Sequence, residues 1–400
     1  MLIQAGPLTA QSRLAFALCA ASFILAGSVP SVAFAEHSSP QCRERPEVRA
    51  QLQLAANPAS PYRERVESYK RAISTCPEDP SSYSGLAELL LAQYQFDEAL
   101  RWIQRGLRVR PDDTALSLDR AGAYLLLEQP REVLSALRGL PPSAKGEFYL
   151  GLAYRNLEDP RAAQDALRQA WKLGYHDPFL LYVLAEQDRI LKDYEKFSAD
   201  LQTLREQFPN SAWHHMAAGD NLKAQQKVTE AKVEYQEAEK LNPNLPFLNH
   251  RLGSIAYGRG DYPLAVSYFR KEIALNPTYP APYVFLGLCL HRQGKNSEAL
   301  PYLEQGLARA PEAPLAYLEL ALVQTDLNQL DQAVATLQSA RTRFPDMSAF
   351  PAKLARLLSR LGRPEEAKVQ AALAQQLGEK HVEKEQEMLG TDANINRFGR

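Results

Sequence analysis

Proline recurs along this 400-residue chain in steps of 34 residues, and no other feature constrains the fold as strongly. The clearest run of this proline ladder is Pro209, Pro243, Pro277, Pro311 and Pro345. A second ladder with the same step is Ala231, Ala265, Ala299, Ala333 and Ala367. A fixed period of roughly 20 to 50 residues is typical of chains that stack one structural unit many times. The sequence therefore predicts a repeat array.

A single unit, residues 280–309, predicts two amphipathic helices. Apolar residues recur every three or four positions in each half of the unit, first Tyr283, Leu286 and Leu290, then Ala299, Leu303 and Leu307. Between the halves, the polar segment 293–296 contains Gly294 and is typical of a turn. Pro311 follows the second half and cannot continue a helix. Each unit is therefore expected to be a helical hairpin.

Such a hairpin cannot bury its apolar stripe alone, so its core is completed only when neighbouring hairpins stack on it. Small residues, Gly287 and Gly306, alternate with the large residues Tyr283 and Leu303 in this unit. This alternation predicts close approach of the helices at the glycines, with the large side chains filling the gaps between them.

Pairs of an apolar and a small residue mark the same place in many units: Leu86-Ala87, Leu252-Gly253, Leu286-Gly287, Leu320-Ala321 and Leu354-Ala355. With these pairs and both ladders, the chain resembles the tetratricopeptide repeat (TPR) family. The resemblance implies an all-α fold, a right-handed α-solenoid of about ten stacked helix-turn-helix repeats. The repeats are expected to begin near Pro46, Pro80, Ala115, Ala144, Pro178, Ala212, Pro246, Pro280, Pro314 and Ser348.

The array is expected to span residues 46–380, followed by a charged extension and flexible tail over 381–400.

The proline ladder has one irregularity. Pro111 and Pro209 lie 98 residues apart, four short of three periods. The shortfall falls near residues 139–142, where we expect a tightened connection and a local change in the pitch of the solenoid.

The first 35 residues are typical of a cleaved signal peptide. Residues 14–29 carry no charge, and Ala33-Phe34-Ala35 matches the small-x-small pattern that precedes a cleavage site. We therefore expect residues 36–45 to be a linker and the mature chain to be periplasmic or extracellular. An uncleaved membrane anchor is the alternative, and it would be the chain's one membrane contact. Lipidation at Cys19 is disfavoured because Leu18 is large.

Export would permit disulfide bonds. Cys42 precedes the first predicted helix and Cys76 ends the second, and the ends of an antiparallel hairpin lie side by side. A Cys42–Cys76 disulfide is expected to close a loop of about 35 residues and to stabilise the terminal repeat. Two free thiols are the alternative. Cys289 lies in a predicted first helix and is expected to be a small buried apolar residue.

Charge and motif content argue against several functional classes. The 46 basic and 47 acidic residues nearly cancel, which disfavours a nucleic-acid partner. The sequence contains no phosphate-binding loop, dinucleotide fingerprint, nucleophile elbow or zinc-protease motif. His214 and His215 are adjacent and would point about 100° apart on a helix, so they cannot share one metal ion unaided. No enzymatic activity, cofactor or metal is expected.

Resemblance to the TPR family implies that positions 2, 5, 9 and 12 of the first helices line a concave surface that holds partner peptides. These positions are occupied by Phe179, Tyr182, Glu186, Arg189, Trp213, Met216, Asp220, Phe247 and His250. Aromatic side chains from three consecutive repeats are therefore expected to anchor a peptide in this groove. The alternative places Trp213 in the core between repeats.

Some TPR proteins clamp a terminal carboxylate with Lys, Asn and Arg side chains at related positions. Here those positions hold no series of Asn residues and only scattered basic residues, namely Arg120, Lys145, Arg251, Lys353 and Arg356. A carboxylate-clamp role is therefore not expected. The sequence favours a non-enzymatic scaffold or assembly factor of the cell envelope that binds a protein segment. Alternatives are an accessory subunit for polysaccharide synthesis or export, with the aromatic row contacting glycan, and a purely structural spacer.

Overall fold

The computed structural model describes residues 41–395, with side chains through Lys380. Within this range all regular structure is helical: a short 3₁₀-helix, Gln41–Glu44, and twenty α-helices that alternate as the first and second helices of hairpins. The expected all-α repeat fold is confirmed. The predicted signal peptide, residues 1–35, and the first half of the linker lie outside the described residues.

The first helices of the ten hairpins are α1 Pro46–Ala56, α3 Pro80–Leu91, α5 Thr114–Leu126, α7 Ala144–Asn156, α9 Pro178–Ile190, α11 Ala212–Ala224, α13 Leu248–Gly258, α15 Pro280–Arg292, α17 Pro314–Asp326 and α19 Ala349–Arg360. The second helices are α2 Tyr62–Thr75, α4 Phe96–Val109, α6 Pro130–Leu137, α8 Pro160–Lys172, α10 Tyr194–Gln207, α12 Val228–Leu241, α14 Tyr262–Leu275, α16 Asn296–Arg309, α18 Leu330–Arg343 and α20 Pro364–Ile395.

Second helices begin 34 residues apart with a single exception, the step from α6 to α8, which is 30 residues. The missing residues belong to α6 itself, which has only 8 residues and is followed by the six-residue connection 138–143. Its neighbour α4 has 14 residues and a four-residue connection, 110–113. The irregularity thus lies where the sequence placed it, but the helix is shortened and the connection is not.

One residue in the left-handed backbone region closes nine of the hairpin turns, always two residues before a second helix. The residues at this position are Tyr94, Glu128, Glu158, Lys192, Gln226, Gly260, Gly294, Asn328 and Gly362, with φ between 57° and 78°. Glycine adopts this conformation without steric cost, whereas other residues are strained by their Cβ atom. The turn predicted at residues 293–296 is confirmed.

Side-chain caps fix where many helices begin. Asp177 Oδ1 accepts the backbone N–H of Phe179 at 2.7 Å at the start of α9, and Ser143 caps α7 in the same way. These bonds satisfy backbone donors that have no partner within the helix. The helix expected at Pro246 begins two residues later, at Leu248, because Phe247 takes a left-handed conformation with φ of 67°.

Glycines on the first helices leave space into which large side chains of the second helices pack. A Cβ atom at Gly219 would lie 2.5 Å from the Tyr235 ring, and one at Gly287 would lie 2.5 Å from Leu303. Gly151 and Gly253 face Leu167 and Phe269 in the same way, at 2.6 and 2.8 Å. The predicted close approach at Gly287 is confirmed.

The chain divides between Leu248 and Asn249 into two compact units. In the first, one apolar cluster extends from Val66 to Leu126 and is centred on the hairpins of α2 to α5. In the second, one cluster joins α13 to α17 and another joins α17 to α20. Each cluster draws on several hairpins, as expected for a core completed by stacking.

Cys42 and Cys76 form a disulfide, with their Cα atoms 5.5 Å apart, so the predicted pairing is confirmed. It joins the 3₁₀-helix to the end of α2 in the first hairpin. Cys289 is buried in α15 as expected, and its burial raises the pKa of the thiol to about 12.

The last helix, α20, extends to Ile395 and so carries helical backbone beyond Gly390 into the segment expected to be a flexible tail. In the described part of the chain, no helix has the length and apolar character needed to cross a bilayer.

Candidate functional site

The aromatic row predicted to line a binding groove is buried. Phe179 has no exposed surface, Trp213 exposes 4%, and Met216 and Phe247 are equally enclosed. These side chains fill the interior of the stack, so they cannot anchor a partner peptide as exposed rings. The expectation of an exposed aromatic row is therefore wrong.

Trp213 shows the physical reason. Its ring lies 4.7 Å from that of Phe179 and 4.9 Å from that of Tyr182, both on the preceding first helix. Phe179 also packs edge-on against Phe148 of α7, at 6.2 Å. Large rings on adjacent first helices gain more by stacking with each other than by facing water. The alternative interpretation, with Trp213 in the core between repeats, is correct.

Of the polar members of the predicted row, Tyr182 is buried and Glu186 and Asp220 are half-buried, and all three are engaged with neighbours. The Tyr182 hydroxyl lies 3.2 Å from Asp220 and 3.4 Å from Glu186, while the Tyr235 hydroxyl donates to Asp220 at 2.6 Å. Glu186 also pairs with the buried Arg155 at 3.5 Å. These contacts tie α7, α9 and α11 together.

The two remaining members of the row differ in their surroundings. Arg189 is exposed near the end of α9. His250, on α13, is half-buried, and its ring lies 5.3 to 5.7 Å from the rings of Phe269, Tyr279 and Phe285. No single site brings the nine predicted residues together.

Two buried carboxylates carry raised pKa values in the first unit. Burial raises the pKa of Asp119 to about 7, although the hydroxyl of Ser84, bonded to it, and the nearby Lys145 act in the opposite direction. Burial, and then a hydrogen bond with Asp188, raise the pKa of Asp200. Neither carboxylate is marked by a pattern in the sequence, because its burial depends on residues of adjacent repeats.

Asp188 and Asp200 share one cation. Arg168 of α8 contacts Asp188 at 2.8 Å and Asp200 at 3.2 Å, and Gln164 donates to Asp188 at 2.5 Å. Asp188 has no exposed surface. This network links α8, α9 and α10 and holds its charges in a fixed, filled arrangement, so its role is structural.

The second unit contains an open cavity of about 220 Å³ between α17, α18 and α19. Basic side chains line one wall, namely Lys353, Arg356 and Arg360 of α19. The rest is Ala321, Leu322, Thr325, Leu337 and Leu357, with no acidic residue in the lining. Among the described residues, none of the three cations pairs with a carboxylate. We call this site the basic cavity.

Lys353 and Arg356 are not scattered as expected, because the structure places both beside Arg360 in the basic cavity. Their spacing of three and four residues puts all three on one face of α19. Of the other basic positions considered, Arg120 lies 3.4 Å from the carbonyl of Ala136 and Lys145 lies over the Tyr149 ring at 5.6 Å. The sequence signal that could have predicted this cluster is the spacing of the three cations within a single helix.

Family models named "Tetratricopeptide repeat" match three parts of the chain. The matched segments are residues 81–110, 216–280 and 290–346. They fall in both compact units; the first covers the hairpin of α3 and α4, and the other two begin within α11 and α15. The chain is a tetratricopeptide repeat protein.

Solved structures similar to this TPR protein include "MamA 41-end from Desulfovibrio magneticus RS-1", at 23% identity and a TM-score of 0.40, covering 42% of this chain and 96% of that one. "Crystal structure of MamA" matches at 21% identity and 0.40, covering 41% and 96%. "MamA MSR-1 C2" matches at 19% and 0.38, covering 42% and 98%. A comparison with curated proteins gives no match.

A TPR array is a scaffold for protein interaction, built from hairpins that present long surfaces to a partner. In the described part of the array, the basic cavity brings three cations that have no carboxylate partner next to an apolar lining. It is therefore the candidate binding site.

Proposed function

We propose that this TPR protein is a non-enzymatic scaffold or assembly factor of the cell envelope, and that it holds a segment of another envelope protein in the basic cavity. The observation that carries the proposal is the cavity itself, where Lys353, Arg356 and Arg360 have no carboxylate partner among the described residues and lie beside a leucine-rich lining. Unpaired cations next to an apolar surface are a poor arrangement for a spacer but a suitable one for an interface.

Two features support the envelope location. Residues 1–35 have the composition of a signal peptide. The Cys42–Cys76 disulfide is of a kind that persists in oxidising compartments and is rare in the cytosol.

The glycan-binding alternative depended on exposed aromatic rings that could stack on sugars. Phe179, Trp213 and Phe247 are buried, so no observation now favours it. In the first unit Glu186, Arg189 and Asp220 remain candidate contacts for a partner, since they are members of the predicted row that solvent reaches.

The test is affinity capture from the envelope fraction with the full chain. The charge-reversal variant Arg356→Glu/Arg360→Glu should lose the protein that the native chain retains. The matched control is Arg343→Glu, a charge reversal on the exposed end of α18, outside the basic cavity. If the native chain and the cavity variant retain the same proteins, the proposed site is wrong.

Location is tested separately by cell fractionation and N-terminal sequencing of the full chain. We expect a mature protein outside the cytoplasm that begins at Glu36. A cytosolic protein with its N-terminus intact would contradict the envelope role and leave the binding proposal standing.

A further inference from the structure

The structure assigns a ligand chemistry to the basic cavity, and this inference rests on the proposed function. We propose that the cavity binds an extended acidic–aliphatic–acidic segment of a partner protein, in which Asp or Glu residues flank a leucine-sized residue. The acidic side chains would pair with α19, and the aliphatic side chain would enter the apolar part of the cavity.

The charge of the cavity lining indicates an anionic ligand. Lys353, Arg356 and Arg360 supply three positive charges within about two turns of α19, and no acidic side chain lines the cavity to balance them. Arginine can bind a carboxylate with two parallel hydrogen bonds, which makes it well suited to Asp and Glu side chains. The ligand that balances these charges is therefore anionic.

The apolar lining indicates that the ligand also carries an aliphatic group. Leu322 of α17 is half-buried, and the buried Leu337 of α18 and Leu357 of α19 complete the apolar part of the lining, which a simple anion would leave uncovered. The volume of about 220 Å³ is below the roughly 300–1,000 Å³ typical of sites for drug-sized molecules. A single aliphatic side chain fits this space, whereas inorganic phosphate and anionic glycans offer nothing apolar to fill it.

The basic and the apolar residues lie on different helices of the cavity. All three cations belong to α19, while Ala321, Leu322 and Leu337 belong to α17 and α18. Successive side chains of an extended segment point to opposite sides. Two acidic residues separated by one aliphatic residue would thus face α19 together, with the aliphatic side chain directed toward α17 and α18.

Spacing agrees with this register. Arg356 and Arg360 are four residues apart, which is about 6 Å along the axis of a helix. Acidic residues at positions i and i+2 of an extended segment are about 6.6 Å apart. The two pairs of charges can therefore meet without distortion of either chain.

The experiment measures fluorescence anisotropy of a labelled peptide, Gly-Ser-Glu-Leu-Glu-Ser-Gly, with both termini blocked, titrated with the full chain. Three further peptides replace both Glu by Gln, replace Leu by Ser, or carry a free C-terminal carboxylate. We expect the Gln and Ser peptides to bind at least about fivefold more weakly, and the free carboxylate to add little.

Protein variants locate the interaction. Arg356→Gln/Arg360→Gln should weaken binding of the Glu peptide roughly tenfold, with circular dichroism unchanged because both side chains are exposed. Arg343→Gln removes one exposed charge outside the cavity and should leave binding unchanged within about twofold.

Several outcomes would overturn the inference. Equal binding of the Glu and Gln peptides would refute the charge argument, and binding that requires the free carboxylate would identify a chain terminus instead of side chains. Inorganic phosphate that competes as well as the peptide, with no effect of Leu→Ser, would indicate a plain anion site. If the charge reversal abolishes capture of the envelope partner while no acidic peptide binds, the scaffold function stands and the ligand chemistry is wrong.

Discussion

Replacing Gly219 by alanine tests the packing that builds each hairpin. Gly219 lies within α11, where alanine would gain about 0.8–1 kcal/mol of helix propensity. However, its Cβ would lie 2.5 Å from Cε1 and 2.7 Å from Cδ1 of Tyr235. The Tyr235 ring is rigid, has no exposed surface and is held by its hydrogen bond to Asp220, so it cannot move aside easily.

The expected change in the free energy of unfolding is the difference between the cost of overpacking and the gain in helix propensity. Overpacking a filled core costs about 1–3 kcal/mol, and a rigid aromatic neighbour favours the upper part of that range. After the helix propensity is subtracted, we expect Gly219→Ala to lower the free energy of unfolding by about 1–2 kcal/mol. In a Tyr235→Ala background the clash is absent, so the same substitution should become neutral or stabilising.

The assay is urea unfolding of the four members of this double-mutant cycle, followed by tryptophan fluorescence. All three tryptophans, Trp102, Trp171 and Trp213, lie before residue 249, so their signal reports on the first unit. Gly378→Ala in α20 is the control, because its Cβ meets nothing within 4 Å and only helix propensity changes; it lies in the second unit, so its unfolding is followed by circular dichroism. A Gly219→Ala protein as stable as the native chain, or a coupling energy near zero, would refute the interpretation that Gly219 is needed to leave space for the Tyr235 ring.

Three further predictions concern single groups. Because burial raises the pKa of Asp119 to about 7 from an ordinary value of 3.8, its contribution to stability is complete below about pH 4 and is lost as the pH rises to about 7. Thermal unfolding across this range should therefore show stability falling by up to about 1.4 kcal/mol per pH unit, and Asp119→Asn should flatten the slope. Opening the disulfide by Cys42→Ala/Cys76→Ala should destabilise the first hairpin by about 2–4 kcal/mol, measured as faster hydrogen exchange in α1 and α2; unchanged exchange would contradict this. Gly294→Ala should cost about 1–2 kcal/mol through backbone strain alone, since its Cβ site is open, and Lys192→Gly should stabilise by a similar amount; opposite signs in chemical denaturation would exclude strain at these turns.

Much of the fold could be predicted because the sequence repeats it. The 34-residue step places every second helix, and the shortfall between Pro111 and Pro209 locates the one irregular hairpin. Gly287 and Leu303 could be paired from size alone. Such features depend on contacts within a repeat or with the next one, and the repeated pattern records those contacts many times.

The site was harder to predict, since exposure depends on how particular neighbours pack. Position 2 of a first helix places Trp213 near the inner surface, but only the structure shows Phe179 and Tyr182 enclosing it. Conversely, the family pattern marks Arg356 as a clamp position but does not mark Arg360. A three- and four-residue spacing of cations within one helix would have revealed both.

Because each repeat contacts mainly its neighbours, the resistance of the stack to unfolding is set interface by interface. At eight residues, α6 is more than a turn shorter than α4 or α8, so it offers less surface to each. Within the first unit, the second helices therefore contact each other least at α6, where the first three hairpins meet the hairpins that follow. Under mechanical load or partial denaturation, separation should begin there, and the connection at residues 138–143 should be the first backbone cut by a protease.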